Sequence, residues 1–181
     1  KEIIIFAKSL SCGGTEKALV SLLKAIDYSL YNVTLELLDK DEFFIKQVPK
    51  EVNIQYINFK NEYDRAIVSW DKKYILNPRN ILGLIKRLYY RKLKNRESLY
   101  KTYLEASKRV EENNKKYDIA LDFHGYGYFF TTYIEKCINS DKKVTWIHDE
   151  HMEWLKSIEE SLSEYDKIFC VSNACKNNFD K

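Results

Sequence analysis

The chain opens with Ile3-Ile4-Ile5-Phe6-Ala7 and then breaks into Ser9-Leu10-Ser11-Cys12-Gly13-Gly14-Thr15-Glu16-Lys17. A β-branched apolar run of this length has the composition of a buried strand, and it ends at two glycines that lead directly into a helical pattern. Glycine permits a sharp turn and a close approach of backbone to ligand, while the first amides of the following helix attract an anion. Phosphate is the natural ligand for such a turn. The stretch is not the dinucleotide fingerprint, which needs G-x-G-x-x-G, and it is not a P-loop, because no Gly-Lys-Ser/Thr follows. A tight strand-to-helix turn that binds nothing is the plain alternative.

Outward from that stretch, Ala18, Leu19, Leu22, Leu23 and Ile26 recur at helical spacing, so helix one follows strand one directly. Tyr31 to Leu38 reads as a second strand. Phe43 to Val48 reads as a short helical turn closed by Pro49, and Val52 to Phe59 as a third strand. Asn61 to Asn77 gives a loop with a short helix. From Pro78 the apolar positions Ile81, Leu82, Leu84, Ile85, Leu88 and Tyr89 mark one face of a helical segment that runs to about Asn114, with a break near Asn95. Tyr117 to Phe123 is a fourth strand ending in His124-Gly125-Tyr126-Gly127, followed by a helix from about Tyr128 to Ile138. Lys143 to Ile147 is a fifth strand, ending in His148-Asp149-Glu150-His151, and a helix covers about Met152 to Ser163. Asp166 to Val171 is a sixth, after which Ser172 or Asn173 caps a last helix.

Strands and helices alternate throughout, which predicts a parallel sheet with right-handed crossovers: an α/β, doubly wound, three-layer α/β/α domain. Ligands of such sheets bind beyond the carboxyl ends of the strands. Ser11 to Glu16, His124, His148 to His151 and Ser172 all follow strands at that edge, so the fold should gather them into one cleft.

With 181 residues, 45% hydrophobic and 31% charged, the chain is long enough for one substantial core and reads as a single domain spanning 1–181, with a helical basic insertion at about 78–114. A net charge of +3 argues for no nucleic acid partner. The one local asymmetry is 79–96, which carries Arg79, Lys86, Arg87, Arg91, Lys92, Lys94 and Arg96 with no acid, and it suits contact with an anionic lipid surface. Cys12, Cys137, Cys170 and Cys175 form no C-x-x-C pair, which suggests a reducing, cytoplasmic setting. No apolar run approaches the roughly 20 residues of a spanning helix. The missing initiator Met and the ending Phe179-Asp180-Lys181 read as those of a trimmed chain.

His148, at a strand end beside Asp149, is placed to donate a hydrogen bond to a substrate hydroxyl or phosphate; capping the next helix from the surface is the plainer role. His148 and His151, with Asp149, Glu150 and His124, also admit a metal site, although adjacent loop residues seldom converge. Asp39-Lys40-Asp41 has a D-x-D spacing but reads as a solvated turn. Glu97 and Glu105 have an E-x7-E spacing inside a helical run without the glycines or proline such a motif needs, and read as coincidence. Neither a serine nucleophile elbow nor a cysteine beside a plausible base is present.

Taken together, Cys12-Gly13-Gly14-Thr15-Glu16-Lys17, the strand end Trp146-Ile147-His148-Asp149, and Tyr165 to Ser172 followed by Cys175-Lys176 and Phe179 resemble the N-terminal half of a GT-B fold glycosyltransferase of the retaining group-1, or family 4, type. The resemblance spans nearly the whole chain. It implies a Rossmann-like, acceptor-side domain whose C-terminal donor domain is absent, and which is inactive alone. It implies retaining transfer from a nucleoside-diphosphate sugar to a glycan or lipid-linked acceptor, with no cofactor and no required metal. By the same resemblance Gly13, Gly14 and Thr15 would meet the donor diphosphate, and His148 would be catalytic. Glu16, His124, Asp149 and Ser172 would line the cleft, and 79–96 would dock the protein at the inner face of the cell membrane. Cys12 departs from the pattern, standing where a third glycine is frequent. Two other readings remain: a non-catalytic Rossmann-like nucleotide or phosphate binding module, and a doubly wound hydrolase or epimerase complete in itself.

Overall fold

The computed structural model describes residues 1–65, 67–68, 78, 81–93, 96–124, 129–150, 155 and 158–180. Its centre is a sheet of β1 (Glu2–Ala7), β2 (Asn32–Leu37), β3 (Asn53–Tyr56), β4 (Tyr117–Asp122), β5 (Ser140–Ile147) and β6 (Lys167–Cys170). The spatial order is β3-β2-β1-β4-β5-β6, and every neighbouring pair is parallel. The described helices are α1 (Gly14–Ala25), α2 (Glu62–Arg65), α3 (Ile81–Leu93), α4 (Arg96–Ser107), α5 (Phe129–Cys137), α6 (Glu159–Leu162) and α7 (Asn173–Phe179). The expected doubly wound α/β architecture is therefore what the chain adopts.

Alternation along β1 builds the two cores. Ile5 and Ala7 join Leu19, Val20 and Leu23 of α1 on one face, while Ile4 and Phe6 join Phe129, Phe130, Tyr133 and Ile134 of α5 on the other. A strand covered on both faces must be apolar throughout, which is why the run from Ile3 to Ala7 shows no polar interruption. β1 is central, with β2 on one side and β4 on the other. The chain leaves β1 toward β2 and β3, then returns to β4, so the gap between the carboxyl ends of β1 and β4 is the topological switch point, where doubly wound sheets hold ligands.

The short helical turn expected in Phe43 to Val48 is a 3-10 turn, Ile45–Gln47. Two local expectations change. The helical insertion does not continue to Asn114: α4 ends at Ser107, and Val110 instead forms an antiparallel bridge with Phe59, with Lys60 N donating to Arg109 O (2.8 Å) and Glu111 N to Asn58 O (2.8 Å). Burying Val110 in the core beside Phe59 outweighs one more helical turn of polar residues. The break near Asn95 lies outside the described residues, as do Arg79, 125–128, His151, and most of the Met152 to Ser163 helix, of which Glu159–Leu162 is described.

Asp39 is the second. It is not a solvated turn residue but is buried, 7% exposed, with its amide donating to Lys8 O (2.7 Å) and its carboxylate 4.0 Å from Arg65. Arg65 in turn donates to Ile57 O at 3.1 Å. Lys40 and Asp41 are exposed. On β2, burial pushes the Glu36 carboxyl up to about 7, and its Oε2 has no hydrogen-bond partner among the described residues.

Candidate functional site

The turn between β1 and α1 is organised by Glu16. Gly13 is the N-cap of α1, with φ −151° and ψ 165° and no side-chain cap. That is ordinary extended backbone, so left-handed freedom is not what the position requires. It requires space: a Cβ on Gly13 would stand 2.2 Å from Glu16 Oε2. The Glu16 side chain folds back across the turn, where its Oε1 accepts from Ser11 Oγ (3.2 Å) and lies 3.5 Å from His124 Nε2. The hydrogen bond from His124, with help from its own amide and Ser11, holds the Glu16 carboxyl below its usual range against the cost of burial. A carboxylate in the first turn of α1 also complements the positive end of the helix dipole. Gly14 is different. It is exposed, and a Cβ there would meet nothing within 4 Å.

His124 follows β4 across the switch point and is 8% exposed. The Lys8 amide, just past β1, donates to His124 Nδ1 at 3.2 Å. A donor at Nδ1 assigns the ring hydrogen to Nε2, the nitrogen that faces Glu16. One imidazole thus joins the ends of β1 and β4 and fixes the carboxylate of α1.

His148, after β5, completes the corner. Its Nε2 lies 2.7 Å from Phe123 O, and a carbonyl only accepts, so Nε2 carries the hydrogen and Nδ1 is the acceptor nitrogen of the neutral ring. Burial pushes His148 below its ordinary value; the Phe123 carbonyl opposes that, the neighbouring His124 adds to it, and Glu16 weakly opposes it. His148 is therefore neutral near pH 7, with Nε2 as its donor nitrogen.

Sequence reasoning missed the aromatic wall around His148. The ring stacks on Trp146 (centroids 6.0 Å apart, planes 15°) and packs on Phe123 (4.9 Å), and Trp146 continues to Phe169 of β6 at 5.5 Å. Part of the signal was present, since Trp146 and His148 are two apart across the end of β5, whereas the pairing of Trp146 with Phe169 comes from the register of β5 and β6. Trp146 Nε1 is buried without a hydrogen-bond partner among the described residues.

Of the other expected site residues, Thr15 and Asp149 adjoin this corner and Ser172 lies beyond it. Thr15 occupies the first turn of α1. Asp149 is half-buried beside His148. Ser172 is exposed at the end of the outer strand β6, where its Oγ accepts from Cys175 N (3.0 Å) and donates to Glu150 Oε1 (3.5 Å). It works as the N-cap of α7. Among the described residues no three His, Cys, Asp or Glu side chains are grouped as a metal ion would need, and no helix is long and apolar enough to cross a membrane.

Fold and corner together define a Rossmann-like α/β domain that concentrates its polar side chains at the switch point of the sheet. No family model, curated protein or solved structure matches the chain.

Proposed function

We propose that this chain is the acceptor-side domain of a glycosyltransferase that moves a sugar, with retention, from a nucleoside-diphosphate donor to a glycan or lipid-linked acceptor. The observation that carries this reading is the convergence of the Gly13-Gly14 turn, Glu16, His124 and His148 at the switch point, the position at which such a sheet meets a nucleotide ligand.

In this reading the diphosphate approaches over Gly14, where the backbone is open, and the amides at the start of α1 face its oxygens. The donor C–O bond breaks with its electron pair leaving on the diphosphate, and fixed amide dipoles stabilise that charge. The acceptor oxygen forms the new bond on the same face of the sugar, and its proton passes to His148 Nδ1, whose imidazolium is steadied through Nε2–H on the Phe123 carbonyl. Glu16 and His124 set the shape of the turn. The reaction needs a second, donor-binding domain facing this edge.

The test is a panel of nucleoside-diphosphate sugars assayed for hydrolysis and transfer by a protein in which this domain is joined to a donor-binding domain. Turnover of one donor supports the proposal. Nucleotide or phosphate binding without turnover of any donor moves the chain to the alternative, a non-catalytic phosphate-binding module.

A further inference from the structure

α3 carries a stripe of large apolar side chains directed outward: Ile81 is 52% exposed, Leu82 73%, Ile85 56%, Leu88 62% and Tyr89 62%. Their spacing, i, i+1, i+4, i+7 and i+8, places them along one side of the helix, and exposed Lys92 lies within the same arc. Gly83, across the helix from the stripe, is buried, and α3 rests on α2 and α4. Single exposed apolar residues are ordinary, but five in one contiguous stripe need a cover.

Charge identifies the cover. The run 79–96 holds seven Lys or Arg and no Asp or Glu, while the whole chain nets +3, so the rest of the molecule is net negative. A dissolved anion would leave the apolar stripe in water, and an uncharged apolar partner would leave the cations uncompensated. An anionic bilayer surface answers both, taking the apolar side chains into the boundary between headgroups and acyl chains and the cations among the headgroups. At 13 residues, α3 is about 20 Å long, enough to lie in that interface and too short to cross the hydrocarbon layer.

We propose that α3 is an interfacial helix that docks this domain on a membrane surface rich in anionic lipid. The proposal rests on α3 and not on the sugar-transfer reading, and vesicle binding measured without donor or acceptor keeps the two separable. The chain is mixed with sedimentable vesicles of phosphatidylcholine and phosphatidylglycerol in equal parts, and with vesicles of phosphatidylcholine alone. Binding to the mixed vesicles, weakened by added salt, is expected, with little binding to the neutral ones. Leu82→Asp/Leu88→Asp should weaken partitioning roughly tenfold or more, since two side chains leave the apolar boundary. Tyr89→Ser should weaken it less, and Lys92→Glu should weaken it and flatten its salt dependence. Circular dichroism checks that each variant keeps its helices, which the exposure of all four positions favours. Equal binding to both vesicle types, binding to neither, or parental binding by the folded variants overturns the proposal. So does a loss of self-association in Leu82→Asp/Leu88→Asp with vesicle binding unchanged, which would assign the stripe to a second copy of the chain.

Discussion

Gly13, ahead of α1, and Ser172, ahead of α7, hold nearly the same backbone conformation, φ −151° and ψ 165° against φ −149° and ψ 163°. Each lies between a parallel strand of one sheet and the helix that follows it. At α7 the cap side chain satisfies the amide three residues on, so the turn is closed by its own serine. At α1 the cap residue has no side chain, and the acceptor arrives from inside the helix: Glu16 reaches back over Gly13, pinned by Ser11 and His124. The first amides of a helix must find acceptors somewhere. A serine cap answers that need locally, whereas a glycine cap with the carboxylate set back over Gly13 leaves the backbone at Gly14 exposed. Position matters as well, because α1 begins at the switch point and α7 beyond the outer strand.

The contrast breaks most visibly at Gly14. Gly14→Asp adds a side chain where a Cβ meets nothing, so the fold should hold, yet its charge would face the donor diphosphate and lower turnover by on the order of a hundredfold or more. Parental kcat/KM in that variant would make the α1 turn as inert as the α7 turn. His148→Ala should cost about a hundredfold in kcat, the range of a lost general base. The same residue sets a pH signature. Burial lowers its pKa, so the neutral base persists as pH falls past the ordinary imidazole value of about 6.5, and the acid limb of kcat/KM should lie below that pH; a limb above it contradicts the assignment.

Smaller effects sharpen the comparison. Ser172→Ala should destabilise by about 1 kcal/mol in denaturant unfolding, the usual cost of losing an N-cap, and leave turnover unchanged. Gly13→Ala should cost only about 0.5 kcal/mol, because the atom in its way is the movable end of a carboxylate. It should also push Glu16 out of reach of Ser11 and His124, so that the carboxyl, followed by NMR titration, rises toward its ordinary value.

The alternation of strands and helices and the edge on which the polar residues gather were legible because buried parallel strands must be apolar throughout and their loops polar, a contrast that survives in a single sequence. Strand ends were accurate to within a few residues for the same reason. Less local features were hidden. Glu16 looked like a first-turn acid, and only the folded turn shows it filling the space that Gly13 leaves. Asp39 looked like a solvated turn residue because nothing in its neighbourhood of sequence announces Arg65, 26 positions later but 4.0 Å away. The apolar positions of α3 were readable as a face, but periodicity does not say whether a face turns toward the core or away from it, and here it turns away. The stack of Phe123, Trp146, His148 and Phe169 depended on register across three strands, which propensity does not encode.

The most direct test of the central claim is to titrate inorganic pyrophosphate, and then a panel of nucleoside diphosphates, into the chain while following backbone amide resonances. The expected result is a saturable shift of the Gly13 to Glu16 amides, accompanied by His124 and His148, with Ser172 to Cys175 unmoved. Shifts confined to the α7 turn, or none at either turn, would contradict the assignment of the switch-point corner as an anion site.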